Sequence, residues 1–252
     1  MSYKYETHLH TSVSSACGRS KGSEYIAGYK ALGYDGIFVT DHFWLGNTCV
    51  PRELEWRDWV RAYCGAWREA KAEGDRQGLK VFFGWETTYG TGEDFLIYGL
   101  GPDWLERHPE MIRLSQREQY ACVSEAGGLV VQAHPFRERG YMREIQLHPW
   151  HCDAWEIANA GNEPWMDRSA LEFAREHGLK MTCGSDIHSV RQLEDGNVFA
   201  MITETELRSE ADYVRLIKSG CGWSMSYPAG RMECEKQGPY LPVWPIEEPG
   251  NK

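Results

Sequence analysis

Two histidines stand one residue apart near the start of the chain, in the segment ETHLHTS at 6–12. The neighbouring Tyr3 and Tyr5 favour extended structure, and in a strand residues of equal parity face the same side. His8 and His10 are therefore expected to project together, roughly 6–7 Å apart. Two imidazoles at this spacing can close on one metal ion, although two partly exposed strand histidines are a common alternative.

Further side chains that can bind metal stand at the ends of four other predicted strands. They are Asp41 and His42 after GIFVT, Glu86 in VFFGWE, His134 after LVVQA, and Asp186 with His188 after TCGS. Each alone could be a cap or a turn residue. Together they favour one metal site, because in a β/α barrel the carboxyl ends of the strands meet at one face. The pair His148 and His151, in LHPWHC, is not placed there by any β/α register, and we expect it in a surface loop.

The elements that must position these residues alternate along the chain. Helices are expected at 23–32, at 52–77 and in SQREQYACVSEAGG, NEPWMDRSALEFAREHG and SEADYVRLIKSG, and further strands in DFLIYGL, DAWEIAN and NVFAMITE. This alternation predicts parallel strands with helical crossovers, closed as a barrel or left as an open sheet. After Tyr227 the composition shifts to Pro, Gly and charge. We therefore expect a barrel domain at 1–228 and a Pro-rich tail at 229–252, packed on or extending from the barrel.

Charge and composition narrow the kinds of function. The 252 residues carry a formal net charge of −10, from 27 Lys and Arg against 37 Asp and Glu. This charge disfavours long nucleic acids and anionic membranes as partners. The eight cysteines form no Cys-x-x-Cys pair and are expected to be reduced thiols of a cytoplasmic protein. No apolar run approaches the ~20 residues of a membrane span, and the polar start is unlike a signal peptide.

The order of the motifs resembles that of the PHP (polymerase and histidinol phosphatase) family. These motifs are His-x-His-Thr, Thr-Asp-His, Gly-x-Glu, Ala-His-Pro and Gly-Ser-Asp-x-His, and the resemblance covers roughly residues 3–225. The resemblance implies an α/β fold, a distorted (β/α)7 barrel of TIM-like type with its metal cluster at the C-terminal ends of the strands. It further implies hydrolysis of a phosphate ester by a hydroxide held between metals. Two alternatives stay open: a catalytically weak barrel with a structural or ligand-sensing role, and an amidohydrolase-like metal hydrolase.

The resemblance also assigns residues to the site. The expected ligands of two or three divalent ions (zinc, manganese or iron) are His8, His10, His42, Glu86, Asp94, His134, Asp186 and His188. Glu86, the natural bridge, and His188 are expected to be catalytic, and Asp94 stands where the family usually has a histidine. Arg19 and Arg137 follow motif residues and are expected to bind a small phosphorylated substrate, such as histidinol phosphate or a nucleotide.

One departure from the family pattern concerns the third metal position. Family members often carry Asp or His five or six residues after the second histidine of the first motif, where this chain has Ser15 and Ala16, followed by Cys17. His42 and His188 would then lack a partner. The sequence therefore predicts a weakened third site, and it predicts that Ser15→Asp would raise metal occupancy.

Overall fold

Strands and helices alternate in the computed structural model, which describes residues 2–90 and 92–245. The strands are β1 (Tyr3–Glu6), β2 (Gly36–Val39), β3 (Lys80–Thr88), β4 (Asp94–Tyr98), β5 (Leu129–Ala133), β6 (Ile145–Leu147), β7 (Ala154–Asn159), β8 (Met181–Gly184), β9 (Ala200–Thr203), β10 (Trp223–Ser226) and β11 (Val243–Pro245). The helices are α1 (Gly22–Ala31), α2 (Trp56–Tyr63), α3 (Gly65–Gln77), α4 (Pro102–Arg107), α5 (Gln116–Glu125), α6 (Pro164–Glu176) and α7 (Glu210–Ser219). Within the described residues no helix has the length and apolarity to cross a bilayer.

Nine strands form one sheet, in the order β10-β9-β1-β2-β3-β4-β5-β7-β8. Hydrogen bonds outside the sheet ladder connect the end of the edge strand β8 with β9, which lies near the opposite edge of the sheet. The Cys183 thiol donates to the Ala200 carbonyl oxygen at 3.1 Å, and the Phe199 amide donates to Ser185 Oγ at 2.9 Å. The sheet therefore closes almost completely, which confirms the predicted TIM-like barrel architecture, with a strand count that differs from seven.

The expectation of parallel strands throughout is wrong, because the sheet is mixed. Strands β1, β2 and β3 are parallel, as are β5, β7 and β8. Strand β4 runs antiparallel to both β3 and β5, and β9 runs antiparallel to β1 and β10. The connection from Thr88 to Asp94 is too short for a crossover helix, so β3 and β4 form a hairpin.

The helix predicted over 52–77 is two helices, α2 and α3, which meet just before Gly65. Glycine has a low helix propensity, so the chain can change direction near Gly65. Each of the two helices can then bury its own apolar face. In α2 the Trp59 ring stacks on Trp56 and Tyr63, with centroid distances of 5.6 and 5.0 Å. These rings cover one side of the barrel beneath the carboxyl end of β3.

The described part of the predicted tail, at 229–252, packs against the barrel. Strand β11 pairs in parallel with β6. Arg231 Nε donates to the buried Asp167 at 2.8 Å, and Lys236 Nζ lies 2.5 Å from Glu138. Residues 246–252 lie outside the described residues. The tail thus holds the segment between β5 and β6, which contributes to the cavity described below.

Candidate metal centre

The segments that follow β1 and β8 lie side by side. They carry His8 with His10, and Asp186 with His188. A parallel bridge joins the residue in the middle of each pair, Leu9 and Ile187, and the His10 amide donates to the Ile187 carbonyl at 2.9 Å. At the end of β8, a Cβ on Gly184 would lie 2.5 Å from His8 Cβ, so only glycine allows this close approach. The two pairs therefore face one point.

The chain beyond β2 continues beside β3 and places His42 opposite Glu86. The Glu86 amide donates to the Asp41 carbonyl at 3.0 Å, and the Phe43 amide donates to the Glu86 carbonyl at 2.7 Å. These two bonds extend the parallel ladder by one step past β2. His42 and Glu86 are thereby held on adjacent strands at the carboxyl end of the barrel.

The antiparallel strands β4 and β5 bring the remaining ligands together. Asp94 pairs in register with Ala133, so its side chain lies near His134, the next residue. In the described chain, His134 and Asp186 are the non-glycine residues with positive φ, at 31° and 51°. Such a backbone costs about 1–3 kcal/mol and persists where the surrounding structure imposes it, commonly at functional sites.

Four ligand atoms crowd around one point at the base of the site. His8 Nε2 lies 3.1 Å from His10 Nε2, 3.2 Å from Glu86 Oε1 and 3.5 Å from Asp186 Oδ1. His10 Nε2 lies 3.1 Å from the same Asp186 oxygen. Ligands bound at 2.0–2.2 Å to a tetrahedral ion are about 3.3–3.6 Å apart. The arrangement therefore fits a single metal ion at its centre.

A second group of ligand atoms shares Glu86 with the first. His134 Nε2 lies 3.2 Å from Glu86 Oε1 and 3.7 Å from Asp94 Oδ2. Asp94 is fixed from behind by the Thr88 hydroxyl, which donates to its other oxygen at 2.5 Å. Because its carboxylate belongs to both groups, Glu86 is placed to bridge two ions.

A third group consists of His10, His42 and His188, each with a ring nitrogen within 4.8 Å of the others. His42 Nδ1 and Glu86 Oε2 are 2.7 Å apart, yet within the described residues neither atom has a hydrogen bond of acceptable geometry. Buried polar atoms without hydrogen bonds are costly. Two such atoms facing each other fit ligands of a cation better than a donor and its acceptor.

Oxygen atoms behind two of the imidazoles fix which nitrogen faces the cluster. Nδ1 of His8 lies 2.9 Å from Glu156 Oε1, and Nδ1 of His188 lies 2.7 Å from the backbone carbonyl of Asp186. Acceptors at these positions hold the proton on Nδ1 and leave Nε2 free to bind a metal. Sequence reasoning missed Glu156; the available signal was a charged residue inside the apolar strand DAWEIAN, where it is 1% exposed.

Ser15 has a structural task of its own, which contradicts the expectation for Ser15→Asp. Its hydroxyl donates to Asp41 Oδ1 at 2.6 Å, accepts from the His42 amide at 2.9 Å and lies 3.3 Å from His10 Nδ1. Burial raises the pKa of Asp41 to about 6 even with Ser15 and Thr11 donating to it. A second buried carboxylate here would face Asp41 and would not point at the metals, so the substitution is expected to lower occupancy.

The imidazoles and carboxylates of the site shift one another's pKa values. Burial opposes ionisation of Glu86, but the charges on His42 and His8 hold its pKa well below the usual range. Burial, with the charge on Glu86, raises the pKa of Asp94 to about 7. Burial lowers the pKa of His42, but the charges on Glu86 and Asp94 and hydrogen bonding together hold it well above its usual value. Divalent cations would replace the protons that the histidines otherwise hold.

A cavity of about 500 Å³ opens above these groups. Its lining includes Cys17, His42, Glu86, Asp94, His134, Arg137, Arg139, Tyr141, Asp186 and His188. The metal-capable side chains form its floor, and basic and aromatic side chains from the segment after β5 form one wall. A site of this size admits a small organic phosphate.

The two arginines expected to bind substrate are placed differently. Arg137 lines the cavity, but its guanidinium is held by Asp186 at 2.6 Å, Asn162 at 2.6 Å and Asn159 at 2.7 Å. It thus orients a ligand carboxylate, and its contact with substrate stays a prediction. Arg19 is exposed and does not belong to the described lining of the cavity.

Arg139 also lines the cavity and was not singled out from the sequence. The sequence feature that could have identified it is its position in AHPFRERGY, two residues after Arg137. Arg137 and Arg139 line the same cavity, and burial together with the positive charge on Arg137 lowers the pKa of Arg139. Tyr141, 74% exposed, stands at the rim beside it.

The expectation of a surface loop for His148 and His151 is wrong. Their exposed fractions are 4% and 9%. The His148 ring packs edge-on against Phe95 with centroids 5.3 Å apart, and the Gln116 amide donates to the His151 carbonyl at 2.5 Å. Strand β6, which the sequence did not reveal, carries this segment against the barrel, and neither histidine lines the cavity among the described residues.

Known structures share this fold. A two-domain protein from Bacteroides vulgatus containing a predicted PHP-like metal-dependent phosphoesterase is 16% identical, with a TM-score of 0.63 over 90% of this chain and 65% of its own. PsfC from Pseudomonas syringae is 15% identical, with a TM-score of 0.57 over 92% and 94% of the two chains. Endonuclease Q, in complex with a 27-mer duplex with an abasic lesion at the active site, is 12% identical, with a TM-score of 0.55 over 88% and 58%.

At these identities the likeness establishes the fold alone, and this chain shares the barrel fold of the Bacteroides protein. It spans about two thirds of the length of the Bacteroides protein. No family model matches the sequence, and no curated protein matches it either. The function must therefore be argued from the site.

Proposed function

We propose that this protein is a metal-dependent phosphoesterase that hydrolyses a small phosphomonoester. The observation that carries the proposal is the set of ligand atoms at the floor of the cavity. The distances between these atoms match those between the ligands of a tetrahedral metal ion, and Glu86 also belongs to a second group of ligands. Phosphoryl transfer places negative charge on oxygens that paired cations can neutralise.

The donor set fits divalent cations of the zinc, manganese and iron class. His8, His10 and His134 offer imidazole nitrogens, and Glu86 and Asp186 offer carboxylate oxygens, all of them nearly fully buried. Such a mixture is typical of transition-metal sites and unlike the all-oxygen sites of calcium or magnesium. When bound, the cations supply Lewis acidity, which polarises the phosphate and makes a water molecule more acidic.

The side chains of the protein then have distinct tasks. Arg139, at the cavity wall, supports binding of the non-bridging phosphate oxygens, since a guanidinium makes charge-assisted hydrogen bonds to phosphate. Arg137 keeps Asp186 in place, and Glu156 keeps the proton of His8 on Nδ1. His188 is 28% exposed and has its Nδ1 proton held by a carbonyl, which leaves Nε2 to accept a proton or bind a cation.

A second candidate is a phosphodiesterase acting on nucleic acid. The likeness to Endonuclease Q favours it, because that protein holds a 27-mer duplex substrate with an abasic lesion at its active site. The net charge of −10 and the cavity volume of about 500 Å³ favour a small substrate instead. We therefore rank small phosphomonoesters, including histidinol phosphate and nucleotides, above long nucleic acids.

A substrate panel tests this ranking. Histidinol phosphate, sugar phosphates, nucleoside monophosphates and a duplex with an abasic site would be offered to the protein with manganese or zinc present. We expect phosphate release from one or more monoesters and no cleavage of the duplex. Duplex cleavage without monoester hydrolysis would replace the first candidate with the second, and inactivity on every ester with metal bound would favour the ligand-sensing alternative.

A further inference from the structure

The outer edge of the cluster carries two histidines, one beside Glu86 and one beside Asp186, that both face the cavity. His42 and His188 line the cavity, whereas His8 and His10 are fully buried beneath them. The centroids of the His42 and His188 rings are 6.5 Å apart, and both rings stack on His10, at 4.3 and 4.5 Å. Two imidazoles on one side of a cavity could bind a metal ion if a third side chain supplied another ligand atom.

The residues at the positions expected from the family pattern do not supply that ligand. Ser15 is bound to Asp41, to the His42 amide and to His10, so its hydroxyl is already used. Ala16 has no donor atom and points to solvent. The next side chain along the loop is Cys17, which lines the cavity.

The loop that carries Cys17 is held on both sides. The Gly18 amide donates to the Ser15 carbonyl at 3.0 Å, and the Ala16 amide donates to the Asn47 carbonyl at 2.8 Å. A Cβ on Gly18 would lie 2.2 Å from the Thr11 carbonyl oxygen, so this tight return requires glycine. On the far side, the Arg19 amide donates to the His188 carbonyl at 2.7 Å. Cys17 is thus fixed between the first motif and the segment of His188.

The Cys17 thiol shares the cavity lining with the imidazoles of His42 and His188, beside which it lies. Of the eight cysteines, it is the one that lines the cavity in the described part of the chain. Cys64 and Cys183 are buried in the core, and Cys49, Cys221 and Cys234 are exposed elsewhere. One thiol and two imidazoles therefore lie together on the lining of one cavity, beside the cluster.

We infer that Cys17, His42 and His188 form a thiolate-containing metal site, selective for zinc, next to the carboxylate-bridged pair. Three protein ligands with a fourth position open to the cavity is the usual arrangement of a zinc site that also meets substrate. A soft thiolate favours zinc over manganese, whereas the two oxygen-rich positions discriminate less. The inference rests on the proposed metal cluster, and it assigns the third position a ligand that the sequence pattern does not suggest.

Cadmium provides a readout that does not depend on activity. Metal-free protein would be titrated with cadmium, and the near-ultraviolet charge-transfer absorption of a cadmium–cysteinate bond recorded, for wild type, Cys17→Ser and the control Cys49→Ser. We expect the band in wild type and in Cys49→Ser, and its loss in Cys17→Ser. Elemental analysis after zinc loading should show about one ion fewer per chain in Cys17→Ser. An equal band and equal zinc content in all three proteins would overturn the inference.

Alkylation of the wild-type protein gives a second test that needs no variant. Iodoacetamide labelling followed by peptide mapping would compare Cys17 with the exposed Cys49 and Cys221, with and without zinc. Zinc should slow labelling of Cys17 at least about 10-fold and leave the other two unchanged, since a coordinated thiolate is a poor nucleophile. Equal labelling rates of Cys17 would contradict the inference.

These results separate the two proposals. Metal bound by wild type and by Cys17→Ser in equal amounts, without a thiolate band, overturns this inference and leaves the proposed phosphoesterase intact. Protein that binds no divalent cation at all overturns both.

Discussion

The hydrogen-bond acceptors behind the imidazoles decide which nitrogen each histidine presents to the centre. Glu156 does this for His8 and also accepts from the Asn159 side chain at 2.8 Å, so its carboxylate is itself held in place. A carboxylate at this position makes the imidazole a stronger ligand. The affinity of the site for metal thus depends on a residue that does not touch the metal.

Glu156→Gln should weaken metal binding by about 10-fold, because it keeps the size of the side chain but removes its charge. The measurement is competition between the protein and a chromophoric chelator. Glu163→Gln, at an exposed carboxylate just before α6, is the matched control and should bind as wild type does. Equal affinity in the two variants would mean that Glu156 serves the fold alone.

Arg139→Ala should raise the KM for a phosphomonoester about 10- to 100-fold, the loss expected for one charge-assisted contact of about 1.5–3 kcal/mol. Steady-state kinetics would compare it with Arg143→Ala, an exposed arginine in the same segment that does not belong to the described cavity lining. If both variants keep the wild-type KM, the phosphate is bound by other groups.

At the scale of the elements, the sequence reveals the strand ends well and the strand directions poorly. A polar residue after an apolar run marks the carboxyl end of a strand, and this local signal correctly brought His8, Glu86 and Asp186 together. Direction depends on the connection: the short turn between β3 and β4 reverses the chain, although the overall alternation of strands and helices predicts parallel strands. Short elements such as β6, β10 and β11 leave little periodicity to detect.

The residues behind the site could not be predicted for a related reason. Glu156 gains its task from contacts with His8 and His134, and although a charged residue inside DAWEIAN is a local signal, it does not reveal those distant partners. At Ser15 the sequence suggests a different role from the one that the structure shows. The departure from the family pattern indicates a lost metal ligand, whereas in the structure the Ser15 hydroxyl is hydrogen-bonded to Asp41 and to the His42 amide.

Gly184→Ala should lower both stability and metal content, because the new methyl group would lie 2.5 Å from His8 Cβ and 2.6 Å from Glu156 Oε1. Overpacking of this kind costs about 1–3 kcal/mol. Thermal melting and elemental analysis would measure the two effects. Gly65→Ala has open space around it and should melt at or above the wild-type temperature. A Gly184→Ala protein with wild-type melting and metal content would show that β8 can move away.

For the whole molecule, the nearly closed barrel gathers several buried acids at one end. Glu86, Asp94 and Asp186 lie around a common centre, and Arg137 is the one arginine paired with them in the described chain. Outside the site, the tail fixes the cavity wall through Lys236 and Glu138. The molecule as a whole is negatively charged, so bound cations are needed to attract a phosphate ester.

Removing the metals should lower the melting temperature by roughly 5–10 °C. Cations present at about 100 times their Kd stabilise a protein by about 2.7 kcal/mol, and each kcal/mol corresponds to about 2–4 °C at this chain length. Calorimetry before and after chelation, with metal loss verified, would measure the shift. Restoring the metal should restore the original transition, and an unchanged transition would contradict a tightly bound cluster.

The most direct test of the whole account is the rate of phosphomonoester hydrolysis as manganese is returned to the metal-free protein, in wild type and Glu86→Gln side by side. Glu86 takes part in both ligand groups, so its loss should impair both ions together. We predict a wild-type rate that rises from background with added metal, and a Glu86→Gln rate at least about 1,000-fold lower at saturation, a difference of about 4 kcal/mol. Hydrolysis by the metal-free protein, or a Glu86→Gln rate equal to that of wild type, would contradict the account.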